Sequence, residues 1–136
     1  MIHGCALSAV KMSIATPKGF EPNRNVVSEA RKSTDIEMTT DPLKAIKNAD
    51  VVVTDTFTSI HNRDPKRTKK FIPKYQVNSK LMKAANNNAI FMHCLPAKRG
   101  SEVTSSVIDG LQSVVWDEAE NRLHTQKALL AALIRA

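Results

Sequence analysis

The sequence holds no G-x-G-x-x-G and no G-x-x-x-x-G-K, and its four glycines stand apart at positions 4, 19, 100 and 110. That argues against a dinucleotide fingerprint and a P-loop, both of which cluster glycines to bring backbone N–H groups against phosphate. Aromatic residues make up only 4% of the chain. A core must therefore come from Ala, Val, Ile, Leu and Met, which suits a layered helix-and-sheet protein better than an aromatic-rich sandwich. Cysteine is scarce as well. Cys5 and Cys94 lie far apart, match no metal-binding spacing such as C-x-x-C, and suggest a reducing compartment. No run approaches the ~20 apolar residues of a membrane helix. The first residues lack the basic start and long apolar centre of a secretory signal. The expectation is a cytoplasmic protein, although an organelle enzyme stripped of its transit peptide would read the same way. No internal repeat or low-complexity segment is visible.

What is present is enough for one domain. At 136 residues a chain buries roughly two thirds of its unfolded surface. The net charge of +7 raises the question of nucleic acid. Its distribution argues otherwise: Lys66, Arg67, Lys69 and Lys70 form one run beside Pro65, with no aromatic residue interleaved for base stacking. A solvated loop, or contact with an anionic substrate, fits the pattern better.

Along the chain, Ile2, Cys5, Ala6, Ala9 and Val10 recur at helical spacing, and "MSIATPKG" reads as a short strand closed by Pro17 and Gly19. A helix follows in "NVVSEARKS", then a strand in "DIEMTTD". Asp41 as N-cap and Pro42 at the first helical position open a third helix, "PLKAIKNA". "DVVVTDT" is the clearest strand, without alternation, as expected of a parallel strand covered on both faces. A polar loop to about Lys74, a helix at "SKLMKAAN", the strand "AIFMHC" and a short helix at "TSSVIDG" come next. "SVVWDEAE" reads as a last strand. "NRLHTQKALLAALIRA" then reads as a closing helix with an apolar stripe at Leu123, Ala128, Leu129, Ala132 and Leu133.

Alternating strands and helices predict an α/β domain with a parallel, doubly wound, Rossmann-like sheet. Ligands of such sheets bind beyond the carboxyl ends of the strands. Those ends carry Thr16 and Pro17, Thr39 and Thr40, Asp55, His93 and Cys94, and finally Glu118, Glu120, Asn121 and Arg122. The order is unusual at the start, because a doubly wound domain ordinarily begins with a strand and this chain begins with a helix. The expectation is that the first strand of the domain is missing.

Several rim residues bear chemistry. Asp55, just past a buried valine strand, is placed to meet a cationic ligand, and reads equally well as a loop or helix cap. Arg122, at the start of the closing helix, favours an anion or a polarised carbonyl, or else pairs with Glu118. His93 and Cys94 invite a base-and-nucleophile reading, but adjacent strand residues point to opposite faces. A buried His93 bonded to a backbone group and a Cys94 lining a pocket fit that alternation. Pro96 after Leu95 marks a constrained turn, where a cis peptide bond costs far less than elsewhere.

Taken together, "HCLP" at 93–96, "FIPKYQVN" at 71–78, "RGSEVTSSVIDG" at 99–110, "DEAENRLHTQKALL" at 117–130 and "IATPKGFEP" at 14–22 resemble the transcarbamylases, the ornithine carbamoyltransferases most closely. The similarity is collinear over nearly the whole chain. It implies transfer of a carbamoyl group from carbamoyl phosphate to the side-chain amine of ornithine, giving citrulline and phosphate. No cofactor or metal is implied, and family members form homo-oligomers. By resemblance, Asp55 would hold the amino-acid head of ornithine, with Ser59 and the backbone of Ile60 completing that site. Cys94 and Leu95 would sit between the two substrates, Leu95 offering its carbonyl to an amine hydrogen. Arg122 would contact the carbamoyl oxygen and stabilise its developing charge.

The sequence departs from the family pattern in two places. The loop D-x-x-x-S-M-G here reads "DTFTSIHNR", keeping Asp55 and Ser59 but placing Ile60 and His61 where Met and Gly stand. Without that glycine the loop should be stiffer, which bears on whether ornithine or another amine, such as putrescine, is the acceptor. Secondly, S-x-R-T, H-P-x-Q and D-G-N-N are absent from the chain. The expectation is the C-terminal, ornithine-binding domain over residues 1–136, incomplete at its N-terminus and without the carbamoyl-phosphate domain. Alone, such a chain would turn over little or not at all. A non-catalytic binding or assembly module, self-associating through exposed sheet edges, is the alternative.

Overall fold

The structure, a computed structural model, describes residues 1–58 and 65–134. Its elements run α1 (Ile2–Leu7), β1 (Met12–Ala15), α2 (Arg24–Ala30), β2 (Ile36–Thr39), α3 (Pro42–Ile46), β3 (Val51–Thr54), α4 (Pro65–Phe71), α5 (Ser79–Met82), β4 (Ile90–His93), α6 (Ser105–Ile108) and α7 (Val115–Ile134). The helix starts follow local chemistry. Asn23 accepts the N–H of Asn25 at 2.9 Å, Asp41 accepts that of Leu43 at 3.0 Å ahead of Pro42, and Asn78 accepts that of Leu81 at 3.0 Å.

The strands are parallel, as an α/β chain of this element order requires, and they form two pairs. β1 lies beside β2 with Met12 opposite Ile36, and β3 beside β4 with Val51 opposite Ile90. In a parallel ladder the two peptide groups of every second residue turn to one neighbour and the rest to the other. Met12 and Thr16 donate to Asp35 and Thr39, so Ser13 and Ala15 face the free edge of β1. By the same alternation, the Ile90 N–H bonded to Asp50 leaves Val51 and Val53 on the free edge of β3. Among the described residues no strand joins β1 to β3.

Each pair carries its own core. The larger one gathers Val52, Leu81, Met82, Phe91, Val103, Val107 and Val115, and places α5 and α6 on one face of the β3–β4 pair. The smaller joins Val27, Ala30 and Ile36, with Ile2, Ala6 and Met12 against them.

Three expectations need correction. β3 is not covered on both faces: Val52 is 7% exposed, whereas Val51 and Val53 are 47% and 42% exposed. A run of β-branched residues specifies a strand, but it does not specify the layer that would cover each side. "SVVWDEAE" is not a strand. Ser113 makes a single parallel bridge with Phe91, and the helix begins at Val115, where Asp117 and Glu118 in its first turn complement the helix dipole. The loop before Lys74 contains α4, opened by Pro65. In the apolar stripe of the closing helix Leu123, Leu129 and Leu133 are exposed, as is Leu130 beside it.

Candidate functional site

Because Thr54 is opposite His93, the next residues, Asp55 and Cys94, leave the sheet side by side. The Cys94 thiol donates to Asp55 Oδ1 at 3.4 Å, and the same oxygen accepts the N–H of Thr56 at 2.7 Å. Partial burial pushes the thiol pKa up, and the Asp55 and Glu118 carboxylates push it further. Both effects keep Cys94 protonated, as a hydrogen-bond donor rather than a thiolate nucleophile.

His93 points the other way and is wholly buried. Its Nδ1 accepts the N–H of Leu95 at 2.9 Å, which leaves the ring N–H at Nε2, 3.5 Å from Oε1 of the equally buried Glu102. That Glu102 oxygen accepts the N–H of Lys98. The backbone N–H of His93 donates to Glu118 Oε2 at 2.9 Å. The turn after β4 is thus bonded at His93, Leu95 and Lys98. Within it the Leu95–Pro96 peptide is cis and Leu95 has φ +50°.

Arg122 stands on α7, not at a strand end. It lines a cavity of about 490 Å³ together with Ile90, Met92, Val114, Asp117, Glu118 and Asn121. The ion pair with Glu118 that the sequence allowed is not formed. Glu118 instead connects the two places, bonding His93 while lining the Arg122 cavity.

The structure therefore brings Asp55, Cys94 and Leu95 together, with Arg122 in a neighbouring cavity. Ser59 and Ile60 lie outside the described residues. Glu118 was placed on the rim by the sequence but given no site role beyond a pairing with Arg122, since its bond to His93 depends on α7 starting early. Glu102 gave a single signal, a carboxylate set among apolar and small residues. Among the described residues, no cluster of His, Cys, Asp and Glu could hold a metal ion, and no helix is long and apolar enough to cross a membrane.

Asp55, Cys94 and Leu95 thus stand just past the carboxyl ends of two parallel strands, the edge at which ligands of such sheets bind. Known proteins resemble the chain in sequence and fold. Ornithine carbamoyltransferase of Cenarchaeum symbiosum (strain A) is 60% identical over 133 residues, covering 98% of this chain and 44% of the relative. The crystal structure of anabolic ornithine carbamoyltransferase from Campylobacter jejuni superposes with a TM-score of 0.92 at 34% identity, covering 99% of this chain and 46% of that one. Ornithine carbamoyltransferase from Pyrococcus furiosus gives a TM-score of 0.82 at 48% identity, covering 89% and 41%. The chain spans less than half the length of these relatives. Residues 1–133 match the family described as aspartate/ornithine carbamoyltransferase, Asp/Orn binding domain, and the chain belongs to that family.

Proposed function

We propose that this chain is the ornithine-binding part of an ornithine carbamoyltransferase, an enzyme that moves a carbamoyl group from carbamoyl phosphate to the side-chain amine of L-ornithine and releases L-citrulline and phosphate. The observation that carries the reading is the Asp55–Cys94 pair at the mouth of two parallel strands, in a chain of this family. In this reading Asp55 holds the cationic amine of the amino-acid head, with Ser59 and the Ile60 backbone beside it. Cys94 and Leu95 lie between the two substrates, the Leu95 carbonyl accepting a hydrogen of the reacting amine. Arg122 stabilises charge developing on the carbamoyl oxygen. Catalysis of this kind rests on positioning and electrostatics. A role in arginine biosynthesis belongs to the same reading, as does a place in the cytoplasm, or in the mitochondrial matrix of a eukaryote.

Calorimetric titration of the purified chain tests the acceptor site. Saturable L-ornithine binding, abolished in Asp55→Asn, is the expected result; equal or tighter binding of putrescine would transfer the reading to a putrescine carbamoyltransferase. Turnover by the chain alone should be slight, because the S-x-R-T and H-P-x-Q motifs that grip carbamoyl phosphate in the family are not in it. Citrulline formed at an enzyme-like rate would overturn that part. A second reading, a module that self-associates, is favoured by the exposed Val51, Val53 and α7 leucines.

A further inference from the structure

Asp55 lies on a short segment, 55–58, that leaves β3 and has no ladder partner of its own. An exposed carboxylate on such a segment loses conformational entropy whenever it is fixed for a ligand. Two contacts have already fixed it. Phe57 is only 7% exposed although it sits between Thr56 and Thr58, which are half-buried, and its ring stacks on Phe71 with 4.8 Å between centroids and 24° between planes. Phe71 meets Phe20 edge-on at 5.0 Å and Tyr75 at 5.8 Å, and the Tyr75 hydroxyl donates to the Thr40 carbonyl at 2.8 Å. The ring is thereby joined to the segments that follow β1 and β2. The second contact comes from the loop after β4: the Lys98 ammonium donates to Thr58 Oγ1 at 3.0 Å. The backbone of Lys98 is itself held by buried Glu102.

We propose that Phe57 and Lys98 are positioning residues, the aromatic stack and the ammonium–hydroxyl bond together fixing segment 55–58 so that the Asp55 carboxylate stays against Cys94. The assignment rests on reading Asp55 and Cys94 as the amine site. Its physical basis is preorganisation: a group held before the ligand arrives loses little on binding, and a displacement of an ångström can cost a hundredfold in rate. The two contacts are unequal. A buried aromatic stack gains dispersion and excludes water, whereas an exposed lysine bond competes with solvent. Phe57 should carry the larger share.

The test reads the thiol, not the amine substrate. Iodoacetamide alkylation of Cys94 is followed over pH by the mass of its peptide, which separates it from Cys5. The groups that face the thiol are Asp55 from the end of β3 and Glu118 from α7, with His93 turned away into the core. If segment 55–58 loosens, Asp55 moves off and the thiolate fraction at a given pH rises. Phe57→Ala should then alkylate on the order of threefold faster at pH 8, since rate follows thiolate fraction. Phe57→Trp, which keeps an aromatic ring, should match the parent chain. Thr58→Val, which removes the acceptor without altering charge, should shift the profile the same way but less. Val107→Ala, a core truncation away from the segment, should leave it unmoved. Should Phe57→Ala fail to fold by circular dichroism, Phe57→Leu removes the stack at closer volume. An unmoved profile in a folded Phe57 variant, or an equal shift in Val107→Ala, overturns the proposal; an unmoved Thr58→Val removes Lys98 from it. Ornithine is absent throughout, so failure to bind ornithine would leave this result intact.

Discussion

The thiol of Cys94 donates to the carboxylate of Asp55 across the carboxyl ends of two neighbouring parallel strands, at 3.4 Å. The contact follows from register alone. With Thr54 opposite His93, the next residue of each strand must emerge at the same edge of the sheet. Alternation does the rest, sending His93 into the core and Cys94 to the rim. A carboxylate so placed holds the neighbouring thiol in its protonated form.

Replacing Asp55 by Asn should therefore ease ionisation of the Cys94 thiol. Burial of the sulfur raises its pKa first, and the hydrogen bond and charge of Asp55 raise it further. Asn removes the charge of Asp55 and leaves the burial and the Glu118 carboxylate in place, so the thiol should remain harder to ionise than a free cysteine yet easier than in the parent chain. Thiolate absorbance over a pH titration would show the midpoint moving down. The linkage has a defined sign. A raised pKa gives stabilisation that is complete below the ordinary thiol value and lost as pH rises through the folded value. The parent chain should accordingly lose more stability than Asp55→Asn between pH 8 and 10.

The pattern of legibility has physical causes. β3 and β4 were readable because β-branched and apolar runs bounded by polar residues have few other solutions, and α3 because Asp41 and Pro42 form a cap that works within one turn. Once those strands are parallel, the meeting of Asp55 and Cys94 needs no further information. The start of α7 was not readable. Val114 and Val115 have strand propensity, and only the bridge from Ser113 to Phe91, a tertiary contact, ends the extended segment there. Phe57 was silent for a similar reason, since its partner Phe71 lies on a helix across the polar loop. Exposure of Val51 and Val53 was hidden because a residue pattern reports what a strand could bury, not what stands over it.

Val52 and Val53 are neighbours with opposite surroundings, and they should respond oppositely to change. Val52 belongs to the larger core, so Val52→Ala should cost about 2 kcal/mol by urea unfolding. Val53 is 42% exposed and next to an unpaired edge. Val53→Lys should leave the unfolding midpoint nearly unchanged while weakening any self-association, because a charge on an open edge opposes pairing. Sedimentation velocity over a concentration series checks this, and a monomer already in the parent chain would count against the assembly reading.

Arg99 and Asp109 make a two-pronged surface pair, with Nη2 2.7 Å from Oδ1 and Nε 3.0 Å from Oδ2. The guanidinium beside Asp109 holds its carboxyl below the usual aspartate range. A lowered carboxyl pKa stabilises the fold above the ordinary aspartate value and is lost as pH falls through the folded value, on the acid side of about pH 4. NMR titration of Arg99→Gln should return the Asp109 midpoint toward that of a free aspartate. Because the pair is exposed, the unfolding midpoint at neutral pH should barely move, and 1 M salt should shrink the Asp109 shift in the parent chain.

Glu102 offers the sharpest separation of charge from shape. It is wholly buried beside the turn after β4, where it accepts the Lys98 N–H and stands 3.5 Å from His93 Nε2. Glu102→Ala would leave the Lys98 N–H without its acceptor and open a cavity, a combination expected to cost about 2–4 kcal/mol. Glu102→Gln can keep the acceptor oxygen in nearly the same volume and should cost less than about 1.5 kcal/mol. The difference should also reach the site. The turn that carries Leu95 is bonded to the core through His93 and Lys98, so Glu102→Ala should broaden or split the amide signals of Leu95, Ala97 and Lys98 while Glu102→Gln leaves them single. If both variants lost the same stability and kept the same sharp signals, Glu102 would be acting only as core filling, and the turn would owe its shape to the backbone alone.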